Sequence, residues 1–183
     1  MKTLRLLAIA ISTLAAATAV QAQWYVGGAV GQSELQDDIG ALPAGVSADK
    51  RDTGYKLYGG YTLNRNLAVE AGYVDHGKFT LSGAGTSLGI KGYGWFVDAV
   101  GLLPLNNAWT LRGKVGLFNG HAKTFGLTPN YSDSGNDLRF GVGAAYALNN
   151  KVQVVAEWER SRYRAWNDKT AVDMLSIGVT YGF

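Results

Sequence analysis

The clearest structural signal in the sequence is its final stretch, Ala171-Val172-Asp173-Met174-Leu175-Ser176-Ile177-Gly178-Val179-Thr180-Tyr181-Gly182-Phe183. From Leu175 onward, large apolar residues at odd positions alternate with small or polar residues at even positions. A period of two is typical of a β-strand whose two faces meet different surroundings. This stretch is therefore predicted to be a strand with one apolar and one polar face.

The same alternation recurs throughout the sequence after residue 22. One example is the segment 137–148, where Leu138 and Phe140 alternate with Arg139 and Gly141. An even number of strands is typical of single-chain bacterial barrels. The pattern predicts eight strands, near residues 23–33, 52–62, 66–76, 88–103, 109–121, 137–148, 151–163 and 171–183.

Short asparagine-containing turns repeat at a spacing of 42 to 43 residues: Leu63-Asn64-Arg65-Asn66, Leu105-Asn106-Asn107 and Leu148-Asn149-Asn150-Lys151. Asparagine favours tight turns because it tolerates the left-handed backbone and bonds to nearby backbone groups. The connections at the opposite strand ends are longer and polar, near residues 34–51, 77–85, 122–136 and 164–170. Outer-membrane barrels have short periplasmic turns and longer external loops. The predicted fold is therefore all-β, an eight-stranded antiparallel transmembrane β-barrel with both termini periplasmic.

The polar face of the predicted strands carries many glycines together with scattered full charges. In a soluble barrel the polar face would be exposed to water. A face of glycines mixed with full charges is not typical of a solvent-exposed surface. A narrow lumen accommodates both, provided that the charges pair, whereas the other face, rich in Val, Leu, Trp and Tyr, suits lipid. The interior ion-pair network is predicted to consist of Lys56, Glu70, Asp98, Arg112, Lys114, Arg139 and Glu157.

Aromatic residues of the apolar face fall at the two ends of the predicted strands. Such residues form girdles at the two interfaces of a bilayer. The girdle at the turn end is predicted to contain Tyr61, Trp109, Tyr146, Tyr181 and Phe183, and the one at the loop end Tyr73, Trp95 and Trp158.

The first 22 residues resemble a cleaved export signal. Lys2 and Arg5 precede the uncharged apolar stretch 6–20, and small residues flank a cleavage position after Ala22. The stretch is shorter than the ~20 residues of a spanning helix, although a retained N-terminal anchor is the alternative. We expect a signal peptide at 1–22 and one barrel domain at 23–183.

Composition excludes several functional classes. Without Lys2 and Arg5 the formal charge falls from +3 to +1, so the sequence gives no argument for nucleic-acid binding. With no cysteine, neither a disulfide framework nor a thiolate metal site is possible. No metal-ligand spacing is present, and we expect no cofactor.

Three segments resemble the OmpA-type transmembrane domain, and the resemblance covers most of the chain after residue 22. They are Trp24-Tyr25-Val26-Gly27-Gly28-Ala29-Val30-Gly31, the stretch from Gly59-Gly60-Tyr61-Thr62-Leu63-Asn64 to Val69-Glu70-Ala71-Gly72-Tyr73, and the final strand. Glu157-Trp158-Glu159-Arg160-Ser161-Arg162 is similar to the related OmpX/Ail group of small barrels. The resemblance implies an eight-stranded barrel of the OmpA/OmpX superfamily with a salt-bridged interior.

The resemblance also implies roles for individual residues. Glu70 matches a position where the OmpA-type family keeps an interior Glu, and Lys114 one where it keeps an interior Arg. Ala145 and Val155 stand where that family tends to place interior charges, so its gating salt bridge is not carried over. The sequence ends on Phe183, and we therefore expect the family's separate peptidoglycan-binding domain to be absent. The final strand also resembles the C-terminal signal that the barrel-assembly machinery reads, although lipid-facing residues alone would give the same pattern.

The sequence offers little sign of catalysis. A lipid A deacylase of the small-barrel kind would place a His and a Ser two residues apart on one strand face. Neither His76, followed by Gly77 and Lys78, nor His121, followed by Ala122 and Lys123, has that spacing. We interpret both as exposed loop histidines and expect no enzymatic activity.

The arginines Arg160, Arg162 and Arg164 continue the outward row of the seventh predicted strand toward its loop end. Guanidinium groups pair well with phosphate, and lipopolysaccharide supplies phosphate at the outer surface. A solvated basic rim is the equal alternative. Because the interior charges nearly balance and an eight-stranded barrel is filled by its own side chains, we expect no open pore. The sequence thus favours a structural, envelope-integrity or surface-interaction protein that contacts surface ligands through its loops. A narrow channel for ions or small solutes is the alternative, and a lipid-modifying enzyme is disfavoured.

Overall fold

The computed structural model describes residues 23–36, 46–83, 86–126, 132–165 and 168–183. The expected signal peptide, residues 1–22, lies outside the described residues, as do parts of the predicted outer loops. Of the residues described, none belongs to a helix long and apolar enough to span a bilayer. Within the described ranges the chain forms β1 (Gln23–Leu35), β2 (Val46–Asp49), β3 (Arg51–Asn64), β4 (Leu67–Gly83), β5 (Thr86–Pro104), β6 (Trp109–Phe125), β7 (Ser132–Ala147), β8 (Val152–Ala165) and β9 (Asp168–Gly182).

Eight of these strands close a barrel in which every pairing is antiparallel. Consecutive long strands pair with each other, and β1 pairs with both β3 and β9, so that Tyr25 lies opposite Gly60 on one side and Gly182 on the other. The short β2 pairs with β4 beyond the end of β3, with Asp49 opposite Thr80. The prediction of an all-β, eight-stranded antiparallel barrel is confirmed. Closure gives each of the eight barrel strands a hydrogen-bonded neighbour on both sides, which a lipid-embedded sheet requires.

The strands run further at their loop ends than the sequence predicted. The bounds of β5 agree with the predicted strand 88–103 to within two residues. In contrast, β4 was predicted to end near residue 76 and continues to Gly83. Likewise β6 continues to Phe125 and β7 begins at Ser132. The predicted loops 77–85 and 122–136 are therefore largely hairpin extensions of the barrel wall.

The asparagine turns join the strands at the other end, and their first asparagine bonds to the backbone. The side-chain oxygen of Asn106 accepts from the backbone N–H groups of Ala108 and Trp109, at 2.9 and 2.8 Å. Asn149 Oδ1 accepts from the N–H groups of Lys151 and Val152, both at 2.9 Å. The side chain thus performs the turn-forming role for which asparagine is favoured.

The outer face is apolar and ends in paired aromatic rings. At the turn end, ring centroids lie 4.7 Å apart for Trp24 and Tyr61 and 4.9 Å apart for Trp109 and Tyr146. At the loop end, Tyr73 and Trp95 are separated by 5.2 Å. The exposed side chains between these rows are mainly aliphatic, as a lipid-facing band requires. They include Val26, Leu57, Val97, Val115, Leu117, Val142, Leu175 and Ile177.

Candidate functional site: the lumen and the outer rim

The strand register explains why charges and glycines share the inner face. Arg112 on β6 lies opposite Gly143 on β7, which in turn lies opposite Glu157 on β8. A side-chain Cβ at Gly143 would lie 2.6 Å from Cγ of Glu157, so only glycine leaves room for the Arg112 and Glu157 side chains to meet. The same arrangement recurs two residues further out, at Lys114, Gly141 and Glu159.

Glu157 is the hub of the buried charges. One of its oxygens lies 2.6 Å from Lys56 Nζ, and the other lies 3.0 Å from Arg112 Nε and 2.8 Å from Lys114 Nζ. These four side chains are almost completely buried. A buried carboxylate with three cationic donors is the arrangement that buried charges require, because unpaired charges are costly in a low-dielectric interior.

The carboxylate of Glu70 is a second acceptor of hydrogen bonds from the buried cations, toward the turn end of the lumen. It accepts from Arg112 Nη2, its other oxygen lies 2.7 Å from Lys114 Nζ, and the hydroxyl of Tyr25 donates to it at 2.8 Å. Asp98 lies opposite Glu70 in the register of β4 and β5 and faces Arg139 Nε at 3.2 Å. The seven residues that the sequence assigned to the interior therefore all lie in the lumen and all take part in ion pairs.

Glu159 is the network residue that the sequence prediction omitted. Its carboxylate lies 2.6 Å from Lys56 Nζ, 3.4 Å from Lys114 Nζ, and in contact with Arg139 Nη2. The signal was present, since Glu159 shares the alternation of Gln153, Val155 and Glu157. With Glu159 included, four cations face four carboxylates among the described lumen residues, so the network is neutral.

An apolar layer begins at the level of the ion pairs, where the Nζ atoms of Lys56 and Lys114 each lie 5.4 Å from the ring centroid of Tyr58, and extends toward the loop end. The sequence predicted a lumen blocked by ion pairs and did not predict this layer. Its contact with the charged layer is direct, because the guanidinium of Arg139 lies 4.0 Å from the ring centroid of Phe96. The layer consists of Tyr58, Val74, Phe79, Phe96, Phe118, Tyr163, Val172 and Met174, all buried.

Two cavities flank this filled middle. A cavity of about 250 Å³ at the turn end is lined by Tyr25, Arg65 and Arg112 among others. A second, of about 200 Å³ at the loop end, is mostly apolar and is lined by Leu35, Phe79 and Ile90 among others. Arg112 and the other charged side chains lie above the first cavity, and the apolar layer lies below the second.

The two histidines are not the exposed loop residues that the sequence suggested. His76 is buried within the extended barrel wall, and its Nδ1 lies 2.8 Å from the hydroxyl of Tyr163. His121 is half-buried and stacks on the ring of Tyr93 with centroids 5.4 Å apart. The interpretation was wrong because the strands that carry these residues continue beyond the lipid-facing band. Across the part of the chain that the structure describes, no three His or acidic side chains converge as metal ligands would.

The outward arginines differ in their surroundings. Arg160 donates from Nε and Nη2 to the two oxygens of Asp173, both at 2.5 Å, and its guanidinium lies 5.5 Å from the Trp158 ring. Arg162 is exposed at the same outer face. The side chain of Arg164 lies outside the described residues.

Comparison with known proteins agrees with this geometry. The sequence model of one protein family, the outer membrane protein beta-barrel domain, matches residues 4–183. The chain belongs to this family. Outer membrane protein A of Shigella flexneri is 26% identical over 97% of the chain, and the chain spans about 55% of that relative's length.

Solved structures share the fold at lower identity. Ail, the attachment invasion locus protein of Yersinia pestis, is 20% identical with a TM-score of 0.62, covering 90% of this chain and all of that one. Neisserial surface protein A is 16% identical with a TM-score of 0.68, covering 87% of this chain and 97% of that one. The family match makes the chain an outer-membrane β-barrel of the bacterial cell, and these solved structures share its fold.

Proposed function

We propose that this barrel is a non-enzymatic structural protein of the outer membrane that acts at the outer surface, in envelope integrity and in contact with surface ligands. The observation that carries the proposal is the filled lumen. Eight buried charges pair across its middle, and a cluster of eight buried hydrophobic residues extends from them toward the loop end. A barrel filled in this way offers its outer face and outer end, rather than a passage, for function.

The outer rim supplies a candidate contact with lipopolysaccharide through Arg160, Arg162 and Arg164. Arg162 is exposed, and an exposed guanidinium can bind phosphate in a bidentate manner. Arg160 already donates to both oxygens of Asp173, so its guanidinium is held in place by this ion pair and is less available to phosphate than that of Arg162. Replacement of all three arginines by Gln should weaken association with lipopolysaccharide. Unchanged association would leave only a solvated basic rim.

The positions of the ends of the described chain support the orientation that we propose. Gln23 and Phe183 lie together at the turn end, where the Gln23 side chain donates to the Phe183 carbonyl at 2.8 Å. We assign this end to the periplasm, since short turns face the periplasm in this class of barrel. Cleavage after Ala22 would free Gln23, and the alternating strand that ends at Phe183 would engage the barrel-assembly machinery.

The experiment that tests the proposed function is a deletion strain assayed for outer-membrane permeability and for surface binding. The deletion should increase the permeability of the outer membrane to large antibiotics or abolish surface binding. The wild-type chain should reverse that defect. Unchanged permeability and binding would contradict the proposal. Lipid A mass spectrometry of the same strain tests the lipid-modifying alternative, which requires a changed lipid A pattern.

A further inference from the structure

Three lysines form a row across neighbouring strands on the outer face. Lys78 on β4 lies opposite Lys91 on β5, and Lys91 lies opposite Lys123 on β6. Adjacent strands are about 4.8 Å apart, so the row spans about 10 Å of backbone. The sequence prediction missed the row, because its members are separated along the chain and a register shift between Asp75 and Lys78 aligns the first two.

Like charges in direct register destabilise a sheet, so this row needs a compensating partner. Lys91 has one, since its Nζ lies 2.8 Å from Asp75 Oδ2, and this hydrogen bond raises the pKa of the Lys91 ammonium group. Among the described residues, Lys78 and Lys123 have no carboxylate within ion-pair distance. The row therefore carries an excess of positive charge.

Aromatic rings hold the ammonium groups in place. The Nζ atoms of Lys91 and Lys123 lie 5.9 and 5.6 Å from the ring centroid of the same residue, Tyr93. Lys78 Nζ lies 5.9 Å from the ring of Phe125. A ring face attracts an ammonium group without taking the place of an anionic partner.

The row lies at the level of lipid headgroups. Tyr93 continues an outward aromatic band, with its ring 6.2 Å from that of Tyr73, which in turn contacts Trp95. Such bands mark the edge of the hydrocarbon region, and lysines beyond them reach the phosphate layer. The lysines lie immediately beyond the band, two residues from Tyr93 along β5 and from His121 along β6.

We propose that Lys78, Lys91 and Lys123 form a binding site for the phosphate groups of an outer-leaflet lipid. Three ammonium groups within about 10 Å suit a headgroup with more than one phosphate. The site lies on β4 to β6, whereas the arginines lie on β8, so it is a second contact surface. It rests on the proposed outer-surface function and names the lipid group that one face of the barrel binds.

The test measures binding of diphosphorylated lipid A to the purified full chain in detergent by native mass spectrometry. The variant K78Q/K91Q/K123Q should bind on the order of a hundredfold more weakly, because each of the three surface cations contributes about fivefold. Dephosphorylated lipid A should bind the wild-type chain as weakly as it binds the variant. Inorganic phosphate should not displace the lipid.

The matched control is R65Q/K151Q, which removes exposed cations from the turn end and should leave binding unchanged. Heat-dependent electrophoretic mobility checks that each variant folds. Equal binding by the folded triple-lysine variant and the wild type would overturn the site, as would displacement by inorganic phosphate at the same concentration as lipid. Full rescue of a permeability defect by a lysine variant that no longer binds lipid A would contradict a functional role for the site and leave the proposed function standing.

Discussion

Glu157 is the residue on which most of the buried charge depends, since Lys56, Arg112 and Lys114 all contact its carboxylate. Glu157→Gln removes the negative charge and leaves the three cations with an excess of positive charge in a buried site. Removing one partner of a buried ion pair costs about 3–5 kcal/mol of folding free energy. We expect a loss near the lower figure, because Gln keeps one acceptor, measured by urea unfolding in lipid vesicles.

The matched control is Glu34→Gln, which breaks the exposed pair with Arg51 at 3.2 Å. Exposed ion pairs contribute about 1 kcal/mol or less, so this variant should unfold almost as the wild type does. Equal losses for the two variants would show that the lumen network does not stabilise the barrel.

The space around single glycines is a second determinant of the stability of the barrel. A Cβ added at Gly72 would meet the Leu57 carbonyl oxygen and lie 2.7 Å from the Tyr58 Cβ, whereas one added at Gly113 would meet nothing within 4 Å. Gly72→Ala should therefore lower the free energy of unfolding by about 1–3 kcal/mol. Gly113→Ala should change it by less than about 0.5 kcal/mol. The same urea titration measures both, and a smaller loss for Gly72→Ala than for Gly113→Ala would contradict the packing at Gly72.

The sequence predicted the interior residues best where lipid lies outside them. Lys56, Glu70 and Arg112 stand out there because charge on one face contrasts with apolar residues on the other. Glu159 follows the same alternation and could have been included. His76 lies beyond the loop-end aromatic row, where both faces of a strand can be polar. Alternation there no longer distinguishes a lumen-facing residue from a water-facing one, and only the tertiary contacts show that His76 is buried.

At the scale of elements, the same reasoning explains the strand bounds. The turn ends were predicted within a few residues, because the aromatic girdle and the asparagine repeat both mark them. The loop ends extend by up to seven residues, as in β4, which reaches Gly83. Hydrogen bonding between neighbouring strands continues there although the hydrophobic alternation has faded.

In each turn, the side chain of the first asparagine should contribute measurably to the free energy of unfolding. Asn106→Ala removes the acceptor for the N–H groups of Ala108 and Trp109 and should lower the free energy of unfolding by about 1 kcal/mol. Asn107→Ala, in the same turn, should have a much smaller effect. Urea unfolding and the rate of refolding into vesicles measure the difference, and equivalence of the two variants would exclude the capping role of Asn106.

At the scale of the whole molecule, strand number and closure were predictable, because they follow from a repeated local pattern. The apolar layer was not. Tyr58, Phe96 and Phe118 each interrupt an otherwise small or polar inner face on a different strand. Their convergence depends on the register of distant strands, which a single sequence does not display. The layer strengthens the expectation of a closed lumen, since an ion would have to pass apolar side chains as well as paired charges.

Conductance of the purified barrel in a planar lipid bilayer tests this closed lumen most directly. We expect no steady conductance steps across a range of voltages, because the paired charges and the apolar layer together fill the passage between the two cavities. Glu157→Gln should conduct no better while it remains folded, since the apolar layer is intact. Steady, large conductance steps from the wild-type protein would contradict the closed lumen and favour the narrow-channel alternative.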